Sequence, residues 1–356
     1  GLSGSGEAHD TQVEALMLQG TAGRWALARA LRNDTGGTLR AVAGTLLDDP
    51  APEVRAEAIQ SLGLLGDARF ADRLIEALGD RALRPAARRS LSRMGKEGLD
   101  RMRRALLDPI ADHSVRRHVP EAIAAQATTQ AASVLVTHLR HERDGLVRFK
   151  ILQALGRMRT RQPALPLDHN ELRTARGDAV RQAASFMRIR HGIEGGSAEA
   201  GRPQAELLLL GLLRDKQNHA LERTLRLLSL ETRNDDFRRI YLGLKSSRAD
   251  VRAGARELLE NLLGPGGRTA LLGLVDDAFM PSERPSPGSR EGFQRALRDL
   301  LSGRIESLRA LAATVAAERA MVELRGAIAE ALAARSDYHV ALTRAHESLG
   351  RLGDSS

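Results

Sequence analysis

Apolar residues return along the first half of the chain with a spacing that fits a helix and not a strand. From Val54 they recur at offsets four, eight and eleven, as Ala58, Leu62 and Leu65. The same offsets give Leu83/Ala87/Leu91/Met94, Val147/Ile151/Leu155/Met158 and Val251/Ala255/Leu259/Leu262. A third unit keeps Val115/Val119/Ile123 and breaks at Gln126; a sixth keeps Leu308/Ala312/Ala316 and breaks at Arg319. Offsets of four, eight and eleven fall on one face of a 3.6-residue period. An arginine follows every anchor: Arg55, Arg84, Arg116, Arg148, Arg252 and Arg309. Gly66, Gly95 and Gly264 stand where the helices should stop, because glycine takes the left-handed conformation cheaply.

The first four anchors are 29, 32 and 32 residues apart. A helix of about a dozen residues fills less than half of such a unit. The remainder carries a second helical pattern, as in residues 69–78. Each unit is therefore helix, turn, helix, turn. One such hairpin cannot bury its own apolar face, so neighbouring units must stack. The expected fold class is all-α: an α-solenoid of stacked helix pairs.

Between the repeats, 160–169 carries two prolines, 192–204 is rich in glycine, 264–267 reads Gly-Pro-Gly-Gly, and 280–292 holds three prolines without periodicity. These breaks suggest irregular N-terminal helices over 1–47 and regular repeats over 48–160. An irregular helical connector follows over 161–234, then degenerate repeats over 235–356 with a Pro-rich loop at 280–292, read as one continuous superhelix.

The recurring phrase resembles the HEAT repeat family, especially its short bacterial form. The matching residues are the Asp49-Pro50 turn, the Val54-Arg55 pair, the Ala-rich first helix, Leu65-Gly66 and the Leu-Ile-Glu-Ala-Leu of 74–78. The resemblance is strong over 48–160, fair over 235–275 and faint elsewhere. It implies a ladder between repeats, made by the anchor arginine and a turn aspartate. Asp80, Asp112 and Asp144 each lie three residues before an anchor, as a ladder needs, whereas Asp49 and Asp250 sit at other offsets. The order of phrases from Val115 to Arg159 and from His219 to Leu263, with Pro120 inside a first helix, is also similar to the soluble HEAT region attached to bacterial membrane carriers related to nucleotide translocases. Proline inside that helix should kink it.

Composition changes this picture little. The chain has 356 residues, 3% of them aromatic, one tryptophan (Trp25) and no cysteine. Without cysteine there is neither a disulfide frame nor a thiolate metal site. The longest apolar run, Leu207 to Leu213, is too short to cross a bilayer. The chain opens GLSGSG, with no methionine before Met17. That reads as a soluble domain cut from a longer polypeptide, or as a processed free protein. The expected location is cytoplasmic, either free or at the inner face of the membrane as part of a longer chain.

The search for reactive chemistry gives nothing specific. There is no P-loop, no HExxH and no nucleophile elbow. His138 and His141 are three apart and could share a helix face, but no third metal ligand accompanies them. The expectation is a protein that is not an enzyme and needs no cofactor. Charge does stand out. The net charge is +9, and the basic residues are arginine except for Lys96, Lys150, Lys216 and Lys245. Residues 81–104 hold nine basic and two acidic residues, a net +7. Such a stretch can be a solvated face or a contact for an acidic protein, an anionic membrane or nucleic acid.

The resemblance implies that second helices line the concave side and carry partner contacts. Candidate partner-binding residues there are Arg73, Glu76, Arg101, Arg104, Thr137 and Arg140, joined by Arg88 of the basic stretch. The expected function is a noncatalytic scaffold for protein–protein interaction. Its partner would be another protein or its own membrane domain, with an anionic membrane surface as a further contact. The alternative is a nucleic-acid-binding protein similar to the HEAT-like DNA alkylation-repair glycosylases. That chemistry needs aromatics to hold a base and a carboxylate in a basic groove. Trp25, Tyr241, Tyr338 and six phenylalanines form no row, which argues against nucleic acid.

Overall fold

A computed structural model describes residues 13–34, 37, 39–196, 201–232, 236–264, 268–280, 289–333 and 338–353. Among them every regular element is helical and no strand occurs. The chain divides into two compact units, residues 1–175 and 176–356.

In the first unit the helices are α1 (Gly20–Ala30), α2 (Arg40–Leu47), α3 (Pro52–Leu65), α4 (Ala71–Glu76) and α5 (Arg84–Leu91). They continue with α6 (Gly95–Leu107), α7 (His113–Arg116), α8 (Val119–Ala125), α9 (Thr129–His141) and α10 (Gly145–Arg161). First helices stack in one row, α1 on α3, α3 on α5, α5 on α8 and α8 on α10. Second helices α4, α6 and α9 stack in another. This is the alternation that a thirty-residue apolar repeat demands: each hairpin covers the stripe its neighbour leaves open. Val54, Ala58, Leu62, Ala87, Leu91, Val147, Ile151 and Leu155 are all essentially inaccessible. Successive first helices approach closely where side chains are small. A Cβ on Gly63 would come within 2.5 Å of the Ser90 Cα, while Ser90 Oγ donates to the Ile59 carbonyl at 2.8 Å.

Departures from the sequence pattern have local causes. Residues 113–118 do not begin a full first helix. α7 is a single turn, and α8 starts afresh with Pro120 in its first turn, where a missing N–H costs nothing. Proline thus divides the helix instead of kinking it, and Val115 stays half-buried while Val119 and Ile123 are sealed. Gly66 and Gly95 take positive φ as expected, but Gly264 does not. Val251, expected in the core, is 37% exposed, whereas Ala255 and Leu259 of the same stripe are buried.

The second unit takes the later part of α11 (His169–Gly196), then α12 (Gln204–Thr232), α13 (Asp236–Leu244), α14 (Ala249–Leu262) and α15 (Arg268–Phe279). It ends with α16 (Arg290–Leu301), α17 (Glu306–Glu318), α18 (Arg325–Ala333) and α19 (His339–Gly353). The long α12 serves two cores. Its first half, through Leu209 and Leu213, packs with the helices from α16 onward. Its second half, through Leu221, Leu225 and Leu228, packs with α13 to α15.

The glycine-rich stretch expected to loop from residue 192 is helical to Gly196. Gly192 and Gly196 are needed there because α16 crosses close by: a Cβ on Gly196 would sit 2.5 Å from the Phe293 Cβ. Of the Pro-rich stretch 280–292, residues 281–288 lie outside the described residues. α16 already begins at Arg290, its first turn capped by Ser289 Oγ accepting the Gly292 amide at 3.0 Å. Residues 265–267 of the expected break at 264–267 likewise lie outside.

Candidate functional site

The repeat grammar first fixes what the arginines do. The anchor arginines of the first unit and Arg252 reach the backbone of a preceding turn. Arg55 donates to the Asp49 carbonyl at 2.7 Å, Arg84 to the Leu78 and Gly79 carbonyls at 2.7 and 3.0 Å, and Arg116 to the Leu106 carbonyl at 3.0 Å. Arg252 in the second unit does the same to Ser246 and Ser247. Carbonyls at helix ends have no intrahelical partner, and a guanidinium satisfies two at once.

The expected aspartate ladder is therefore corrected. Asp112 caps α7 through the Ser114 amide. Asp144 caps α10 through the amides of Leu146 and Val147, and meets His113 Nε2 at 2.7 Å. Asp80 alone of the three meets an anchor arginine, Arg55 of the preceding unit, at 3.8 Å. Ion pairs do join successive repeats, but through other residues: Arg24 with Asp49 at 2.6 Å, Arg88 with Glu121 at 2.5 Å, Arg101 with Asp72 at 2.6 Å and Arg116 with Glu142 at 2.7 Å.

The turn after α9 is the most strongly bonded of these joints. Glu142 is buried and accepts from Arg116, from the Asp144 amide at 2.8 Å and meets His138 Nε2 at 2.8 Å. Burial pushes its carboxyl pKa up, but His138, that amide and Arg116 outweigh burial and hold it below its ordinary value. His118 is different: burial, with Arg84, Arg117 and Lys150 nearby, pushes it down to about 4, so it is neutral at physiological pH.

The second-helix residues singled out in the sequence do share one row, α4, α6 and α9. Arg73 pairs with Asp48 and Glu76, Arg101 with Asp72, and Arg140 with Glu171 at 3.9 Å. Arg104 and Thr137 are exposed. Arg88 does not join them. It lies on the first-row helix α5, bound to Glu121 of α8, because the ridge carrying it faces the next first helix.

Of the nine basic residues in 81–104, Arg81, Arg89, Arg93, Lys96, Arg103 and Arg104 have no ion pair among the described residues. Arg103 was not singled out by its sequence position, yet it stands at a cavity of ≈ 190 Å³ between α6 and α9. Leu107 and Val134 give this groove its accessible apolar surface, over the buried Leu106. Ser133, Thr137 and His141 stand on the α9 wall. His138 also lines it but turns its Nε2 to Glu142, so the two histidines do not act as a pair. No group of three metal-ligating side chains occurs among the described residues.

In the second unit charge is buried in structural joints. Glu206 of α12 is 0% exposed and takes Arg319 at 2.7 Å and Arg202 at 3.4 Å. Arg190 is buried between Glu194 and Asp277, both at 2.6 Å, with Gln217 donating to Asp277 at 2.7 Å.

Residues 18–92 and 41–113 match the model of HEAT repeats. The two matches overlap and reach back into α1 and α2. HEAT repeats are thus present in the first unit, and every regular element among the described residues is helical. No curated protein matches the chain significantly in sequence. Among solved structures it is similar to the complex of CpcE and CpcF of phycocyanin lyase from Nostoc sp. PCC7120, at 18% identity, covering 87% of this chain and 94% of that one with a TM-score of 0.21. A superposition that poor speaks for neither fold nor activity. Among the described residues no helix is long and apolar enough to cross a membrane.

Proposed function

We propose that the chain is a noncatalytic HEAT-repeat scaffold that binds a partner protein on its second-helix row, α4, α6 and α9. The observation that carries this reading is the uneven use of charge in the basic stretch. Arg84, Arg88 and Arg101 are consumed by joints within the fold, while Lys96, Arg103 and Arg104 on α6 make no ion pair among the described residues and Arg103 lines a groove. Unpaired cations on a rigid surface favour and steer an acidic partner. Attachment to a carrier-like membrane part is the narrower form of the same reading, and its support is the order of phrases over 115–159 and 219–263 alone.

The test begins with a partner captured on the immobilised protein, then purified and titrated against wild type and Arg104→Glu/Arg140→Glu. A loss of affinity of about tenfold or more in the variant, with an unchanged melting temperature, is expected. Equal affinities would remove the second-helix row from the interaction. Binding to anionic vesicles or to an oligonucleotide, with no protein partner found, would replace the reading with general polyanion affinity.

A further inference from the structure

We propose that the groove between α6 and α9 is the docking site for an acidic segment of the partner. An apolar side chain of that segment rests on Leu107 and Val134, above the buried Leu106, and a neighbouring carboxylate is held by Arg103. The inference rests on the scaffold reading and gives it an address.

Size decides the kind of occupant first. At ≈ 190 Å³ the cavity falls below the roughly 300 Å³ at which pockets for whole small molecules begin. It matches a single side chain presented by a longer ligand. The apolar surface also extends past the cavity: Leu107 is 48% exposed, and Ile110, in the turn that follows α6, is 91% exposed. Large aliphatic groups standing in water beside a concave, partly apolar surface favour a ligand that brings its own apolar group.

Charge then decides what flanks that group. Arg103 stands on the groove wall, and among the described residues neither it nor Lys96 and Arg104 on the same helix makes an ion pair. Two carboxylates are near in sequence. Asp100 makes no ion pair with Arg103, and Asp108 accepts the Ile110 amide at 2.9 Å. The α6 side is thus net positive. Across the groove the exposed hydroxyls of Ser133 and Thr137 make no hydrogen bond among the described residues. A guanidinium on one wall and hydroxyl donors on the other suit a carboxylate, which accepts from both. Nucleic acid fits less well, since single strands bind by stacking on large aromatics and the groove is lined by no Phe, Tyr or Trp.

The experiment uses two fluorescein-labelled peptides, one repeating Glu-Glu-Leu-Glu and one repeating Glu-Glu-Ala-Glu, titrated against the full chain by anisotropy. The leucine peptide should bind more tightly than the alanine peptide. Arg103→Glu should weaken it by about tenfold, while Arg89→Glu, the same charge change on exposed α5, should leave it within about twofold. Thr137→Trp, which fills the groove from an exposed position, should abolish the preference for leucine. Equal binding of both peptides, or equal loss in Arg103→Glu and Arg89→Glu, would overturn the groove as a specific site. If that happens while the captured partner still loses affinity for Arg104→Glu/Arg140→Glu, the groove alone is wrong and the scaffold reading stands. A partner indifferent to both sets of variants removes the scaffold reading as well.

Discussion

Single residues hold this fold where backbones come closest. Gly63 has no room for a Cβ, because the nearest obstacles include the Ser90 backbone and not just a flexible tip. Gly63→Ala should therefore destabilise by about 1–3 kcal/mol through overpacking, read as a lower midpoint in urea. Glu206 presents the opposite case, a charge sealed in the core. Arg319→Met removes a principal partner and should cost about 3 kcal/mol, while Glu206→Leu/Arg319→Met should recover part of that loss, since the sealed carboxylate is gone and only the partly exposed Arg202 loses a partner. A double variant as unstable as the single one would contradict this. His118 adds a pH signature. Its folded pKa of about 4 lies below the ordinary 6.5, so the unfolded chain binds the proton first on acidification. Stability should be full above pH 6.5 and fall as the pH drops toward 4. His118→Gln should flatten the melting temperature between pH 6.5 and 5.

At the scale of elements, the helices were legible wherever their apolar stripe was complete, and the breaks in the stripes turned out to be contacts. Gln126 interrupts the third stripe because its side chain donates to the Leu91 and Gly95 carbonyls, where α5 ends and α6 begins. Arg319 interrupts the sixth because it reaches Glu206, 113 residues away. A period of 3.6 announces which face is buried, but not that a polar residue will be buried to satisfy a distant group. The same limit hid the true inter-repeat ion pairs. A shared offset singled out Asp112 and Asp144, whose side chains cap the next helix instead, while Glu142 was passed over. It also hid Arg103, whose importance depends on a groove made with α9. The joint around Glu142 carries its own prediction. Its carboxyl titrates below the ordinary 4.5 in the folded chain, so its contribution is complete above that value and is lost as the pH falls through the lowered one. Glu142→Gln should lower stability at neutral pH and make acid unfolding of the first unit less steep.

At the scale of the molecule, the claim is that stacking creates two surfaces with different duties. Both rows pair some arginines and leave others without an ion pair among the described residues; what sets the second row apart is the groove, which Arg103 and Thr137 line and exposed Arg89 of the first row does not. A partner should feel that difference. The most direct measurement is photocrosslinking from p-benzoylphenylalanine placed singly at Arg104, Thr137 and Arg89, followed by mass spectrometry of the adducts. The account predicts adducts to one protein from positions 104 and 137, formed within an acidic segment, and none to it from position 89. Adducts to the same protein from all three positions, or from position 89 alone, would contradict it.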